Sequence, residues 1–378
     1  MRKEVFQHTI SPEKVIRGKD AWIKGKYLIS SICKRPLFIG RSKNTSHIRE
    51  RLFTDLEKLD LCPVFIEISR DCCEDDLKAL EESYKSNNCD SVISVGGGKV
   101  LDAGKMVAER VEADCITIPL SASTCAGWTA LSNIYSNKGK FINDVELKTC
   151  PKILIFDHNL VKTAPTRTLA SGVADALAKW YEASVTSNNS TDALVQQAVQ
   201  MSRVLRDQLL INSVEAINNA ESESWERVAE SCALTAGLIG GIGGKKCRTA
   251  AAHALHNGFT QLNFKQKSLH GELVGFGILV QLKLEERFSK NVLKNQTRLQ
   301  LVKLLKELKL PITIKSLGLI EISTNELNKA CEFACKEESE IHNLPFNVTP
   351  HILIDAIRQT DKENHLLKTK EKKEISLL

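Results

Sequence analysis

Short, strongly apolar runs alternate with amphipathic stretches from the start of the chain to about residue 160. The amphipathic stretches, such as Asp75 to Ser86, are typical of helices, and the apolar runs are typical of strands buried on both faces. This alternation predicts βαβ units in a parallel sheet that is covered by helices. The apolar runs are PLFIG at 36–40, PVFIEIS at 63–69, SVISVGGG at 91–98, CITIPL at 115–120 and KILIFD at 152–157.

The pattern changes after Thr163. APTRTLASG has the composition of a linker and helix start, and the periodicity from there to about Arg358 is almost wholly helical, as in DALVQQAVQMSRVLRDQLL. A glycine-rich segment, GLIGGIGGKK at 237–246, is expected to interrupt these helices. We therefore predict two domains, an α/β domain over 1–162 and a helical domain over 163–378.

Composition and charge are those of an ordinary globular protein. The 378 residues are 42% hydrophobic and 26% charged, and 52 Lys and Arg against 46 Asp and Glu give a net charge of +6. The basic residues are spread along the chain, and only the tail segment KTKEKKE concentrates them. Nucleic-acid binding is not expected from this distribution.

Three features predict a cytoplasmic protein with no membrane association. No apolar run approaches the length of a membrane-spanning helix, and the start MRKEVFQHTI lacks the apolar core of a signal peptide. The twelve cysteines form no C-x-x-C pair and mostly lie in apolar runs, so they are expected to be reduced thiols.

Three consecutive glycines, Gly96, Gly97 and Gly98, stand between an apolar strand and a helix start. Glycines at such a turn let backbone N–H groups approach a pyrophosphate, and the positive end of the helix dipole faces the same anion. The sequence is not the G-x-G-x-x-G fingerprint, so a tight structural turn is the alternative. Asp102 and Lys105, three residues apart, fit either a helix ion pair or contacts to a ribose and its neighbours.

Three of the nine histidines lie close together in AAAHALHNGFTQLNFKQKSLHGELVGFG, residues 250–277. His253 and His256 are three apart in a helical pattern, and His270 follows. Imidazole is a common ligand of zinc-like ions, and catalytic sites of that kind use three protein ligands. Asp175, within the apolar helical run SGVADALAKWYEA, is the best candidate for an additional carboxylate. Structural polar groups in capped core helices are the alternative.

Taken together, these motifs resemble the iron-containing alcohol dehydrogenase superfamily, and within it the glycerol dehydrogenase-like group. The resemblance implies an N-terminal α/β domain with a parallel dinucleotide-binding sheet and an all-helical C-terminal domain, in the architecture of dehydroquinate synthase. It also implies that a divalent metal and a nicotinamide meet in the cleft between the two domains. The motifs that carry it are VGGGKVLDAGK (95–105), IPLSASTCAGWTALSNIY (118–135), ASGVADALAKWYEA (170–183), AAAHALHNGFT (250–260) and LHGELVGFGILVQL (269–282).

Matched position by position, the resemblance implies that Asp175, His253 and His270 are the metal ligands. His256 would then orient the site, contact substrate or carry a proton, and a structural hydrogen bond is the alternative. Iron-using members carry a further histidine where this chain has Lys179, so a three-ligand zinc site is expected, with iron or nickel as alternatives. The positions matching the cofactor site are Gly97, Gly98 and Lys99 at the diphosphate turn, with Asp102, and Ser123, Thr129, Leu131 and Tyr135 along the cofactor.

Two departures from the family pattern bear on the substrate. Glycerol dehydrogenases carry ASTDAP, whose Asp accepts a hydrogen bond from a polyol hydroxyl, whereas this chain has Cys125 there. Lys179 follows Asp175 by one helical turn and suits an anionic substrate, unless the two form an ion pair. STCAGW, DALAKWYEA and SEIHNLP resemble the hydroxycarboxylate dehydrogenase branch, which implies a 2-oxo acid with its ketone on the metal and its carboxylate near Lys179 and Arg248.

A third departure bears on the cofactor. NAD-preferring members carry an acid at the end of the first strand of the dinucleotide-binding sheet, where it binds the ribose hydroxyls. This chain has Gly40, Arg41, Ser42 and Lys43 at that place. A basic loop attracts a 2′-phosphate, so NADP(H) is expected in preference to NAD(H), although solvated surface bases are also common.

The resemblance therefore implies an NAD(P)-dependent oxidoreductase that interconverts a small 2-oxo acid and a 2-hydroxy acid. The alternative within the family is a glycerol, polyol or other alcohol dehydrogenase. Outside it stand a lyase like dehydroquinate synthase, a glycerol phosphate dehydrogenase, and a nucleotide-binding protein without turnover. Relatives assemble from dimers to octamers, so a homo-oligomer acting on a small molecule is expected.

Overall fold

The computed structural model describes residues 7–187, 189–247, 249–264, 268–289 and 292–375. The strands are β1 (Lys14–Gly18), β2 (Pro36–Gly40), β3 (Val64–Glu67), β4 (Ser91–Gly96), β5 (Asp114–Pro119), β6 (Leu131–Tyr135), β7 (Phe141–Glu146) and β8 (Ile153–Asp157). The helices are α1 (Ala21–Ile32), α2 (Ser46–Glu57), α3 (Glu74–Ser86), α4 (Gly98–Arg110), α5 (His158–Val161), α6 (Thr166–Thr186), α7 (Ala193–Asn218), α8 (Glu223–Glu230), α9 (Ala236–Gly243), α10 (Ala251–Phe259), α11 (His270–Ser289), α12 (Val292–Glu307), α13 (Thr324–Ala334) and α14 (Pro350–Ile375).

Residues up to Leu169, together with Ala229–Gly244, form the first compact unit. Its centre is a six-stranded parallel sheet in the order β1-β8-β5-β4-β2-β3. Every residue of β2, β4 and β8 is buried, as the apolar runs predict for strands covered on both faces. The predicted parallel α/β sheet is confirmed.

Alternate residues of each central strand face opposite sides of the sheet and build two apolar cores. Phe38 of β2 packs in a core with residues of α1 and α2. Its neighbours Leu37 and Ile39 pack in the other core, with residues of α3 and α4. This period of two explains why a strand buried on both faces shows no polar alternation in its sequence.

Two features of the first unit are absent from the prediction. Strand β1 lies at an edge of the sheet and is only partly buried, so its sequence KVIRG lacks a long apolar run. The antiparallel hairpin of β6 and β7 forms a separate two-stranded sheet. Strand β7 exposes most of its side chains, which removes the apolar signal on which the prediction depended.

The glycine-rich segment is helical as far as Gly243, and Gly244, with φ +59°, ends this helix, so the expected interruption lies at the end of the segment rather than along all of it. Helix α9 includes Gly237, where a Cβ atom would lie 2.6 Å from the Trp128 side chain, and Gly241, where one would lie 2.2 Å from the Ile10 carbonyl oxygen. These glycines allow close packing, which is why the segment joins the first unit although it follows α8 in the chain.

The second unit comprises Ala170–Val228 and the chain from Lys245 onward, and its described elements are helices. The all-helical second domain is therefore confirmed. Its apolar core gathers residues of α10, α11, α13 and α14, including Phe259, Phe276, Leu327 and Ile357. In the described part of the chain, no helix is long and apolar enough to cross a bilayer.

Candidate active site

Small residues bring three helices of the second unit close together. The N-terminus of α11 lies against α6, and a Cβ atom at Gly271 would stand 1.8 Å from the Ser171 carbonyl oxygen. The same glycine donates its backbone N–H to Ser171 Oγ at 3.0 Å. Further along α11, a Cβ atom at Gly277 would lie 2.6 Å from the Ala252 carbonyl oxygen of α10. Only glycine permits these approaches, and they place the side chains that follow side by side.

Asp175, His253 and His270 meet where these helices approach. Asp175 Oδ1 lies 3.4 Å from His253 Nε2 and 3.2 Å from His270 Nε2. One potential ligand atom from each residue lies within 4.8 Å of the others. These three residues belong to different helices, α6, α10 and α11, and the structure brings their side chains together.

The donor set fits a divalent cation. Asp175 is buried, and its Oδ1 atom makes no hydrogen bond within the described residues although it faces two imidazole nitrogens. Burial alone raises the pKa of this carboxyl, but the imidazoles of His270 and His253 outweigh burial and hold the pKa well below its usual range. A buried carboxylate without a hydrogen bond is costly, and a cation bonded to it removes that cost. One carboxylate and two imidazoles are also the ligand types found at three-ligand zinc sites.

Glu182 is a component of this site that the sequence analysis missed. It is completely buried, and its Oε2 lies 2.5 Å from His253 Nδ1. Its Oε1 accepts the backbone N–H groups of Ala250 at 2.7 Å and of His253 at 3.0 Å. Burial lowers the pKa of His253, but the charges of Glu182 and Asp175 raise it to about 10. The available signal was an acid seven residues after Asp175 in an apolar helix, on the same face two turns later.

His256 supports the other ligand histidine. Its Nε2 lies 2.9 Å from His270 Nδ1, and its Nδ1 lies 2.9 Å from Asn257 Oδ1. Burial holds the pKa of His256 well below its usual range, and the neighbouring His270 acts in the same direction. A neutral His256 accepts a hydrogen bond from the His270 Nδ1–H group and donates one from its own Nδ1–H group to Asn257. This arrangement leaves His270 Nε2 facing Asp175. Its position fits the orienting role among those considered from the sequence.

Lys179 lies on α6 one turn after Asp175 and is only 8% exposed. The ion pair with Asp175 that the spacing allowed is absent, and within the described part of the chain Lys179 forms no hydrogen bond or ion pair. Cys125, the other predicted substrate residue, is partly buried in the loop between β5 and β6. Arg248 lies outside the described residues.

The glycine turn of the first unit lies at the carboxyl ends of adjacent parallel strands. Gly97 is extended and precedes α4, whose first N–H groups have no partner inside the helix. A Cβ atom at Gly98 would lie 2.9 Å from Thr124 Oγ1, so glycine is needed where the loop after β5 approaches. In that loop Ser123 Oγ lies 3.1 Å from Ser121 Oγ. Doubly wound sheets bind ligands at such an edge.

Asp102 is not at this turn. It is buried and forms an ion pair with Lys105 at 3.1 Å, the first of the two alternatives that their spacing allowed. Lys105 Nζ also donates to the carbonyl oxygens of Thr129, at 3.1 Å, and of Leu131. These contacts fix the start of β6 against α4, so Thr129 and Leu131 contribute backbone oxygens to an internal network.

A buried acid joins two of the predicted cofactor residues. Asp71 follows β3 and is 3% exposed; its Oδ1 pairs with Arg41 at 2.6 Å and its Oδ2 pairs with Lys99. Lys99 Nζ also lies 4.7 Å from the centre of the Tyr135 ring. Arg41 and Lys99 each remain about one-third exposed. Arg41 and Lys99 are therefore two partly exposed cations that share one buried anion, Asp71. The sequence analysis did not predict this pairing.

Comparison with known proteins identifies the family of this chain. A family model described as iron-containing alcohol dehydrogenase matches residues 12–158. A glycerol dehydrogenase of Pseudomonas putida is 30% identical over 358 residues, which cover 93% of this chain and 96% of the relative. The chain belongs to the iron-containing alcohol dehydrogenase family. It is therefore an oxidoreductase, as the resemblance implied.

Other relatives lie in the same part of this family. An uncharacterised oxidoreductase of Synechocystis sp. is 48% identical over 290 residues, which cover 77% of this chain and 75% of the relative. Hydroxycarboxylate dehydrogenase A of Escherichia coli is 30% identical over 296 residues, with coverage of 77% and 80%. The crystal structure of glycerol dehydrogenase from Schizosaccharomyces pombe matches with a TM-score of 0.86 at 24% identity and covers 98% of this chain and 94% of its own. The last match supports the fold.

Proposed function

We propose that this member of the iron-containing alcohol dehydrogenase family is a metal-dependent, NAD(P)-linked enzyme that interconverts a small 2-oxo acid and its 2-hydroxy acid. The observation that carries the metal-dependent part is the buried Asp175 carboxylate oxygen, which lacks a hydrogen bond and faces the Nε2 atoms of two histidines. The observation that favours an acid substrate is the largely buried side chain of Lys179 one helical turn away, which makes no ion pair within the described residues.

Asp175, His253 and His270 are proposed to hold one divalent ion, with zinc preferred over iron or nickel for a three-ligand set of this kind. When bound, such an ion supplies Lewis-acid stabilisation of negative charge on a substrate oxygen. The protein groups around it orient the ligands and handle protons. His256 accepts a hydrogen bond from His270 and donates one to Asn257, so it holds the His270 ring with Nε2 directed at the ion.

Lys179 is proposed to bind the substrate carboxylate. Its side chain is only 8% exposed, and no carboxylate of the described residues pairs with its ammonium group, so that group is available to bond to an incoming carboxylate. Cys125 replaces the carboxylate that glycerol dehydrogenases direct at a polyol hydroxyl, so the acceptor that would favour a polyol is missing. Together these two positions favour an anionic substrate over a neutral one. Arg248, proposed as a second carboxylate contact, rests on the sequence alone.

Replacing Lys179 by Met tests the choice of substrate. Lys179→Met keeps the length of the side chain and removes its charge. We expect kcat/KM for 2-oxobutyrate or 2-oxoglutarate to fall about 100-fold, because a hydrogen bond to a charged group contributes up to about 3 kcal/mol. Initial rates of NADPH or NADH oxidation, followed at 340 nm, provide the measurement.

The exposed Lys303 on α12 provides a control of the same type, Lys303→Met. That change should leave kcat/KM unaltered for every substrate. Reduction of dihydroxyacetone by Lys179→Met should be unchanged or improved, because a neutral substrate makes no ion pair with an ammonium group. An equal loss for acidic and neutral substrates would contradict the proposed role of Lys179.

NADP(H) is proposed as the preferred cofactor. Ligands bind at the carboxyl ends of β2, β4 and β5 in such sheets, and Arg41 and Lys99 leave one net positive charge there after pairing with Asp71. A 2′-phosphate can bond to the exposed part of the Arg41 guanidinium. Residues Gly97, Gly98, Ser123 and Tyr135 are proposed to line the remainder of the cofactor, and Asp102 is left out because it pairs with Lys105.

Replacing Arg41 by Ala tests this preference. Arg41→Ala is expected to raise KM for NADPH by about 10-fold or more, since one charge-assisted hydrogen bond is worth roughly 1.5–3 kcal/mol, and to change KM for NADH little. Arg51→Ala, an exposed arginine of α2, serves as the control. If the wild-type enzyme prefers NADH, or if both cofactors lose affinity equally, the NADP(H) preference is wrong.

A glycerol or other polyol dehydrogenase is the second candidate, and the Pseudomonas putida relative favours it. A panel of 2-oxobutyrate, 2-oxoglutarate, glycerol and dihydroxyacetone with both cofactors separates the two candidates. Turnover confined to glycerol and dihydroxyacetone would establish the second. Repeating the panel with added zinc, nickel or iron identifies the active ion.

We also propose that the enzyme is a cytoplasmic homo-oligomer. Eight of the twelve cysteines are buried, which suits thiols that pack as small apolar side chains in a reducing compartment. Light scattering coupled to size-exclusion chromatography measures the assembly directly, and a mass equal to one chain of 42.0 kDa would contradict it.

A further inference from the structure

We infer that Glu182 is a positioning residue, which keeps a proton on His253 Nδ1 and so leaves His253 Nε2 as the metal-binding atom. This inference rests on the metal centre proposed above. It goes beyond that proposal because it assigns a role to an acid that is not itself a ligand. Glu182 is completely buried and lies on α6, the helix that also carries Asp175.

The hydrogen bonds of Glu182 determine which nitrogen of His253 carries the imidazole proton. Oε1 accepts two backbone N–H groups, from Ala250 and from His253, and Oε2 lies 2.5 Å from His253 Nδ1. An ionised carboxylate has only acceptors, so Nδ1 must be the donor in the third contact. A neutral imidazole with its proton on Nδ1 has its lone pair on Nε2, the nitrogen that faces Asp175 at 3.4 Å.

Glu182 also supplies a hydrogen-bond acceptor for the first backbone N–H groups of α10. Ala250 stands at the N-cap position and has no side-chain acceptor for the first N–H groups of the helix. Glu182 accepts from Ala250 and from His253, and Gln281 accepts from Ala252 at 3.2 Å. One carboxylate therefore fixes both the ring of His253 and the backbone that carries it.

The Nδ1 atoms of the two proposed ligand histidines have chemically different partners. His270 Nδ1 faces the imidazole of His256, whereas His253 Nδ1 faces a carboxylate. A carboxylate partner makes an imidazole a stronger electron donor than a neutral partner does. The bond between His253 and the ion therefore depends more on Glu182 than the bond of His270 depends on His256.

An amide at position 182 cannot satisfy all three contacts. If the NH₂ group of Gln faces Nδ1, that nitrogen must accept, and the proton moves to Nε2, where it blocks metal binding. If the NH₂ group faces the backbone instead, it meets two N–H donors. Either arrangement weakens the site.

Zinc affinity of the full-length protein, measured by competition with a chromophoric chelator, provides the first test. Glu182→Gln should bind zinc about 10–100-fold more weakly than wild type, the range found when a partner of a ligand histidine is lost. Glu285→Gln is the matched control, because Glu285 is also buried in the second unit but bonds to Gln281 and Lys294. Its zinc affinity should equal that of wild type.

A second measurement separates the positioning role from loss of helix stability. In zinc-loaded protein labelled with ¹⁵N-histidine, the wild-type His253 should show its proton on Nδ1 and a metal-bound Nε2. In zinc-saturated Glu182→Gln, the Nδ1 proton signal should shift, because the carboxylate that accepts from Nδ1 is replaced by a neutral amide, while circular dichroism remains that of the folded protein. A loss of helix stability alone would leave that signal at its wild-type position.

The outcomes distinguish this inference from the proposed function. If wild type binds no zinc, nickel or iron, the metal centre itself fails. If wild type binds zinc but Glu182→Gln binds it equally well with an unchanged Nδ1 proton signal, only the role of Glu182 is wrong. Should Glu182→Gln not fold, Glu182→Asp decides: its shorter side chain cannot reach all three donors, so an unchanged zinc affinity would contradict the inference.

Discussion

Asp175→Asn is expected to abolish both metal binding and turnover. The substitution keeps the shape of the side chain but replaces the one anionic ligand of the proposed centre by a neutral amide, which is a poor ligand for a zinc-like ion. Losing several kcal/mol of metal-derived stabilisation corresponds to a decrease in kcat/KM of about 1,000-fold or more. The metal content of purified protein and rates at 340 nm measure the two effects separately.

The fold should survive this change, because Asp175 makes no hydrogen bond through Oδ1 that an amide would lose. Asp192→Asn is a control in the same unit: Asp192 caps the start of α7, and asparagine caps helices equally well. That variant should keep wild-type metal content and rate. Retention of bound zinc and of activity by Asp175→Asn would show that the metal binds elsewhere.

Gly271→Ala is expected to have the largest effect on stability. The added Cβ atom would lie 1.8 Å from the Ser171 carbonyl oxygen, a backbone atom that no side-chain rotation can move. Helix α11 must therefore shift away from α6. Overpacking of this kind costs about 1–3 kcal/mol or more, which lowers Tm by roughly 5 °C or more for a domain of this size.

The shift also moves His270, the first residue of α11, away from Asp175. Zinc affinity should therefore fall together with Tm. Gly240→Ala is the matched control, because a Cβ atom at this helical position meets nothing within 4 Å. It should leave Tm unchanged or slightly raised, since alanine is the better helix former. A Gly271→Ala protein with wild-type Tm and zinc affinity would contradict the close approach of α6 and α11.

The contrast between Asp102 and Asp71 shows where reasoning from sequence stops. Asp102 follows the glycine turn by a few residues and matched the cofactor motif, but the turn of α4 on which it lies directs it to Lys105 in the interior. Asp71 lies in an irregular segment without periodicity, so nothing in its neighbourhood indicated that it would pair with Arg41 and Lys99. Short-range spacing identifies which residues share a helix face, whereas it gives no information about partners from other segments.

By itself, the sequence determined the parallel sheet, the helical second unit, the family and the set of residues now found around Asp175. It could do so because buried strands and amphipathic helices leave periodic patterns, and because the family motifs are local. Only the tertiary structure decided that Glu182 contacts Nδ1 of His253, that His256 contacts Nδ1 of His270, and that α9 packs with the first unit. Those contacts depend on hydrogen bonds and on close approaches at glycines between segments distant in the chain, and neither leaves a periodic signal in the sequence.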